Sequence, residues 1–151
     1  MVTSTASVET LEILKQEVIA ASPEIVFESI LEMLGPASEM PDGTPFPMKI
    51  EPWPGGRWYR DLGNNAGHFW AHVQVIKPPF LLELAGPLFM SYPAISHVQY
   101  RVTAEGTQCT LKIQHKAIGL ISPEHRTGVH EGWEGEMRLI RRLVDKKLKS
   151  R

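Results

Sequence analysis

Six histidines and a single cysteine are the side chains with which this chain could hold a metal or carry out nucleophilic chemistry, and their spacing limits both. His68 and His72 fall on one face of an alternating stretch, but four residues of strand separate them by roughly 13 Å, too far to share one ion. His125 and His130 are five apart on a helical stretch and point to different faces. No metal or other cofactor is expected. Cys109 sits mid-strand, where a buried thiol is inert. No nucleophile with a base, paired carboxylates or phosphate-cradling glycine loop appears as a motif, and Gly55-Gly56 reads as a turn, so no catalytic residue is assigned. His115 and Tyr100 stand apart because both fall in the apolar phase of a hairpin. Each is either a core side chain with satisfied polar atoms or a polar group that orients a ligand at a pocket rim.

The element best able to position such groups is the stretch from Ser122 to Leu148. At about 100° per residue, Val129, Trp133, Met137, Ile140, Val144 and Leu148 form one stripe, opposite Glu131, Glu134, Arg138, Arg142 and Asp145. Ser122-Pro123 supplies an N-cap and a first-turn proline. Acidic residues precede basic ones, the order the macrodipole favours. Gly128, Gly132 and Gly135 share one flank, each at a cost of roughly 1 kcal/mol against alanine. They seat a strand, leave room for a ligand, or mark a regular helix that begins only near Gly132.

Most of the chain before this helix reads as strands. Leu11 to Ile19 is a first strand whose inward face its imperfect alternation does not decide. Ser22-Pro23-Glu24 caps a short helix with Val26, Phe27, Ile30, Leu31 and Leu34 on its apolar face, ended by Gly35-Pro36. The run GPASEMPDGTPFP from Gly35 to Pro47 is a loop. Met48 to Trp53 and Arg57 to Leu62 form a hairpin about Pro54-Gly55-Gly56. Asn64 to Gly67 turns the chain into His68 to Lys77, where Phe69, Ala71, Val73 and Val75 alternate against His68, Trp70, His72 and Gln74. Phe80, Leu82 and Leu84 form the inward phase of the next strand. A last hairpin, with a turn at Glu105-Gly106, is expected to pair Val102 with Cys109, Tyr100 with Leu111, Val98 with Ile113 and Ser96 with His115. With one short helix to help, the antiparallel sheet must curl around the long helix, an α+β helix-grip architecture that often leaves a cavity between the two.

At 151 residues, with 42% apolar and 22% charged side chains, the chain is one domain. A formal charge of −1 argues against a protein built to coat nucleic acid or anionic membrane. The basic run from Arg138 to Arg151 reads as dipole-matched solvation. One cysteine permits no intrachain disulfide, and the first ten residues lack the pattern of a signal peptide, so a cytoplasmic location is expected.

The order and spacing of several short motifs carry a family likeness. ASPEIVF follows the first strand; PGGRW stands at the first hairpin; Gly67 to Pro79 reads G-x-x-x-x-x-V-x-V-I-K-P-P; Gly106 to Ile113 reads G-T-x-C-T-L-x-I; EGW lies in the last helix. Over residues 11–148, with 1–10 as an extension, the chain resembles the SRPBCC (START-like) superfamily, and within it the branch named after the activator of the heat shock protein 90 ATPase. The resemblance implies a helix-grip fold whose central apolar cavity mostly binds small hydrophobic molecules. One departure is that GPASEMPDGTPFP stands where the family usually has a short second helix with a tryptophan.

The leading expectation is non-enzymatic binding of a small hydrophobic or amphipathic molecule between sheet and helix. Its walls would be Trp133, Met137, Tyr100, His115, Phe69 and Tyr59. The apolar stretch from Gly86 to Pro93 is core, a lid bearing Phe89, Met90 and Tyr92, or a patch for a homodimer. Two rivals stand beside this: an interaction module acting on a chaperone, which a dry closed core would favour, and a cyclase-like or hydrolase-like enzyme, which a buried carboxylate in the cavity would favour.

Overall fold

The computed structural model describes residues 7–151, and the extension before residue 7 lies outside them. The elements run β1 (Glu9–Ile19), α1 (Pro23–Leu34), β2 (Lys49–Ile50), β3 (Arg57–Gly63), β4 (Ala66–Lys77), β5 (Leu81–Gly86), β6 (Ala94–Glu105), β7 (Gln108–Gly119) and α2 (Pro123–Lys149). The strands form one antiparallel sheet in the order β1-β7-β6-β5-β4-β3-β2, and the fold is the expected α+β helix grip.

Both helices begin where the sequence says they should. The hydroxyls of Ser22 and Ser122 accept the backbone N–H of Ile25 and His125, with a proline at each first position. Along α2 the side chains of Val129, Trp133, Met137, Ile140 and Val144 are buried, whereas Leu148, the last of the expected stripe, is 41% exposed as the helix runs past the sheet. α2 is helical from Pro123, so the alternative of a helix starting near Gly132 does not hold.

The uneven alternation of β1 follows from its place at the sheet edge beside α2. Leu11, Ile13 and Ile19 are buried, while Lys15 and Glu17 in the same phase meet Glu134 and Arg141 of the helix. Arg126 and Arg141 also donate to the free carbonyls of Thr10 and Val18, so the helix covers backbone groups that an edge strand would otherwise expose.

The β6–β7 hairpin differs from the expected register by two residues. Its turn is Gly106-Thr107, closed by Glu105 opposite Gln108, so Val102 pairs with Leu111, Tyr100 with Ile113, Val98 with His115 and Ser96 with Ala117. Gly106 takes a φ of +67°, which suits the first residue of such a turn. Because side chains alternate with period two, a two-residue slip leaves every one on its intended face. Val98, Tyr100, Val102, Cys109, Leu111, Ile113 and His115 are all buried as expected.

β4 departs more consequentially. Trp58 pairs with Ala71 but Tyr59 with Phe69, so Trp70 is an extra residue at a β-bulge. Trp70 and Ala71 therefore both turn inward, and the phase before the bulge is reversed. Gly86 makes the bulge fit, since a Cβ there would lie 2.3 Å from the Trp70 carbonyl oxygen.

Candidate functional site

A cavity of about 410 Å³ lies between the amino-terminal half of α2 and the sheet. Its floor is aromatic. Trp58 on β3 is anchored by donating its indole N–H to the Leu34 carbonyl at 2.7 Å, and it meets Trp70 edge-on at 5.0 Å between ring centres. Phe46 and Phe89 flank Trp70 at 6.0 and 6.1 Å.

The loop from Gly35 to Pro47 forms the mouth. Its backbone closes on itself through Met40 N–H to Thr44 O and Phe46 N–H to Ser38 O, and Ser38, Glu39, Met40, Pro41 and Phe46 face the cavity. Glu39 is held by Arg142 from α2. The guanidinium of Arg60 lies 3.9 Å over the Phe46 ring and fixes the other side of the loop.

α2 contributes Gly128, Val129, Gly132, Trp133, Gly135 and Glu136. A Cβ added at Gly128 or Gly132 would meet nothing within 4 Å, and one at Gly135 would touch only the Pro41 loop and the Arg138 side chain. Among the described residues, no strand sits against this flank at Gly128, Gly132 or Gly135. The glycines leave open space, one of the readings their spacing allowed.

Of the expected wall residues, Trp133 and His115 line the cavity, as does Phe89 from the expected lid. Trp133 donates its indole N–H to His115 Nδ1 at 3.1 Å. Since an indole can only donate, Nδ1 must be the acceptor nitrogen, and Nε2 carries the proton to Ser96 Oγ at 2.8 Å. Burial holds the His115 pKa down to about 4, so the ring is neutral and both nitrogens are engaged. It is thus a satisfied core histidine that also forms part of the wall, and it has no free nitrogen with which to act as a base.

The other expected residues lie elsewhere. Met137 and Met90 are core side chains, and Tyr100 is buried behind Trp133, meeting it edge-on at 6.2 Å. Tyr92 stands at the rim beside the cavity, with its hydroxyl 2.8 Å from His125 Nδ1 and its ring stacked on the imidazole. Leu88 and Met90 show that the loop after β5 is partly core, with Phe89 as its contribution to the site. Phe69 and Tyr59 do not reach the cavity. The bulge at Trp70 turns Phe69 to the outer face, where it is 37% exposed against His72, and Tyr59 packs under the Arg57 guanidinium at 4.7 Å. The same bulge parts His68 from His72, and His68 accepts the Trp70 indole N–H instead.

The residue that sequence reasoning missed is Glu136. Its Oε2 is inaccessible and has no hydrogen-bond partner, and desolvation raises its pKa to about 8. The hydroxyl of Tyr100 is likewise buried without a partner. Burial first, and then the Glu136 charge, oppose its ionisation. The signal was available: Glu136 lies four residues after Gly132 and seven after Val129, on the flank that faces the cavity, and not on the charged face with Glu131 and Glu134.

No family model matches the chain, and no curated protein matches it. Solved structures do share its fold. An uncharacterised protein from Rhizobium leguminosarum superposes with a TM-score of 0.74 at 13% identity, over 95% of this chain and 99% of that one. CalU16 from Micromonospora echinospora gives 0.63 at 16% identity, over 97% and 90%. The di-domain ARO/CYC StfQ from the steffimycin biosynthetic pathway gives 0.64 at 10% identity, over 93% of this chain and 52% of that one. At such identities the likeness is one of fold alone.

Proposed function

We propose that this protein binds a small hydrophobic or amphipathic molecule in the cavity between the sheet and the first half of α2. The observation that carries this reading is the open flank of the helix. Gly128 and Gly132 each cost roughly 1 kcal/mol of helix stability, and what they provide is unfilled space. A largely apolar pocket of about 410 Å³ with few polar groups is what a small-molecule site requires. A likeness to the heat shock protein 90 activator branch is compatible with this, but docking on a chaperone would call for a dry, closed core in place of the cavity.

The Glu136 carboxyl favours a second reading, acid–base chemistry on the bound molecule. Held protonated at neutral pH by desolvation, it is the group placed to donate a proton, whereas His115 is not. Native mass spectrometry of protein purified from its own host tests both. A co-purifying small molecule that is returned unchanged on incubation supports carriage. Conversion that Glu136→Gln abolishes supports catalysis. Protein that never carries a ligand and binds no apolar probe overturns the binding reading.

A further inference from the structure

Carboxyl groups on the cavity wall are not matched by basic side chains on that wall, although Arg142 and Arg60 stand behind the mouth loop, on Glu39 and Phe46. Glu39, Glu124 and Glu136 line the cavity and no lysine or arginine does so among the described residues; of its two histidines, His115 on the inner wall is neutral and His125 at the rim is bonded to the Tyr92 hydroxyl. An anionic ligand would meet carboxylates and no cationic partner. Glu39 already has Arg142, and Glu124 stands exposed at the rim, which leaves the inner Glu136 as the acid without a counterion. Five aromatic side chains, three of them tryptophans, line the same cavity. Ring faces attract cations, tryptophan most strongly, and the attraction grows when water is excluded.

We infer that the molecule bound here is an amphipathic organic cation, an amine or quaternary ammonium, whose apolar body packs on the aromatic walls and whose nitrogen sits at Glu136. This rests on the binding reading above and names its ligand class. A buried carboxyl with no partner is costly as an anion, and a ligand cation supplies what the protein leaves out. Tyr100 faces Glu136 from β6, His115 lies on β7 and Glu39 on the mouth loop. The first is held protonated, the second is neutral, and the third is paired with Arg142. Binding of a cation at pH 7 therefore releases a proton from Glu136 itself.

Three probes with one skeleton test this on the intact protein: 4-phenylbutyl-trimethylammonium, 4-phenylbutanol and 4-phenylbutanoate, followed by calorimetry in two buffers of different ionisation heat. The ammonium should bind about tenfold or more tighter than the alcohol, with the carboxylate weakest. Its heat should depend on the buffer, since a quaternary ammonium carries no proton to lose. Glu136→Gln keeps a hydrogen-bond donor and removes the charge, so it should erase both the ammonium's preference over the alcohol and the proton release. If the alcohol binds as tightly as the ammonium, or the variant keeps the preference, the ligand is not a cation and the cavity reading stands. If none of the three binds, the cavity reading fails and this inference fails with it.

Discussion

Glu136 and His115 are held in their neutral forms by burial, and their titrations pull stability in opposite directions. Folded Glu136 keeps its proton up to about pH 8, while an unfolded glutamate loses its own near 4.5. The native state therefore binds more protons across that window, and this contribution falls as pH rises through it. Folded His115 titrates near 4 against 6.5 when unfolded, so its contribution rises with pH between those values. Between about pH 6.5 and 8 only the Glu136 effect of the two remains. Denaturant unfolding should show stability declining over that range in the wild type and a flatter profile in Glu136→Gln. An equal decline in the variant would mean that Glu136 is not buried as an acid. Among the tryptophans, the sequence singles out Trp133 as the costliest to truncate. The structure makes Trp58 its equal: both tryptophans line the cavity, at 3% and 7% exposure, and each donates its indole N–H to a buried partner, Leu34 O for Trp58 and His115 Nδ1 for Trp133. Trp58→Ala should cost about 3–5 kcal/mol, as much as Trp133→Ala, with Trp53→Ala near neutral at 55% exposure. Chemical denaturation of the three variants would rank them.

At the scale of elements, the parts of the fold that were legible are those set by local rules. Serine caps with following prolines placed both helix starts, and the period-two pattern of β6 and β7 placed their inward faces even though the register was two residues off. What could not be read was set by contacts distant in sequence. The bulge at Trp70 depends on Gly86 lying beneath it, so the alternation of β4 alone misassigned Phe69 and, across the pair, Tyr59. The charges of β1 and the loop from Gly35 to Pro47 likewise take their meaning from α2, which is distant in sequence. Gly86→Ala tests the bulge directly. Its Cβ would meet backbone atoms of Trp70 and Ala71 at 2.3 and 2.6 Å, so the variant should lose about 1–3 kcal/mol, and it should report a changed Trp70 environment in its fluorescence. A neutral outcome would show that the close approach is not required.

For the whole molecule, the sheet wraps a helix whose carboxy-terminal half is packed, while its amino-terminal half reaches β1 and β7 through Arg126, Trp133 and Glu134 and leaves a cavity along its glycine flank. Met137, Leu139, Ile140 and Val144 belong to the continuous core, together with α1 and the inner faces of β5 to β7. Gly128, Gly132 and Glu136 instead border the cavity. Among the described residues, no helix is long and apolar enough to cross a membrane. Stability is thus concentrated at one end of the grip and space at the other, which lets a site be emptied or filled without unfolding the domain. Gly132→Leu measures this division most directly, with a neutral solvatochromic dye titrated into wild type and variant and the stability of both determined. The wild type should bind the dye with micromolar affinity, and the variant should lose binding while gaining or keeping stability, because leucine both fills the void and favours the helix. A variant that loses stability by overpacking, together with a wild type that binds no dye, would contradict the account.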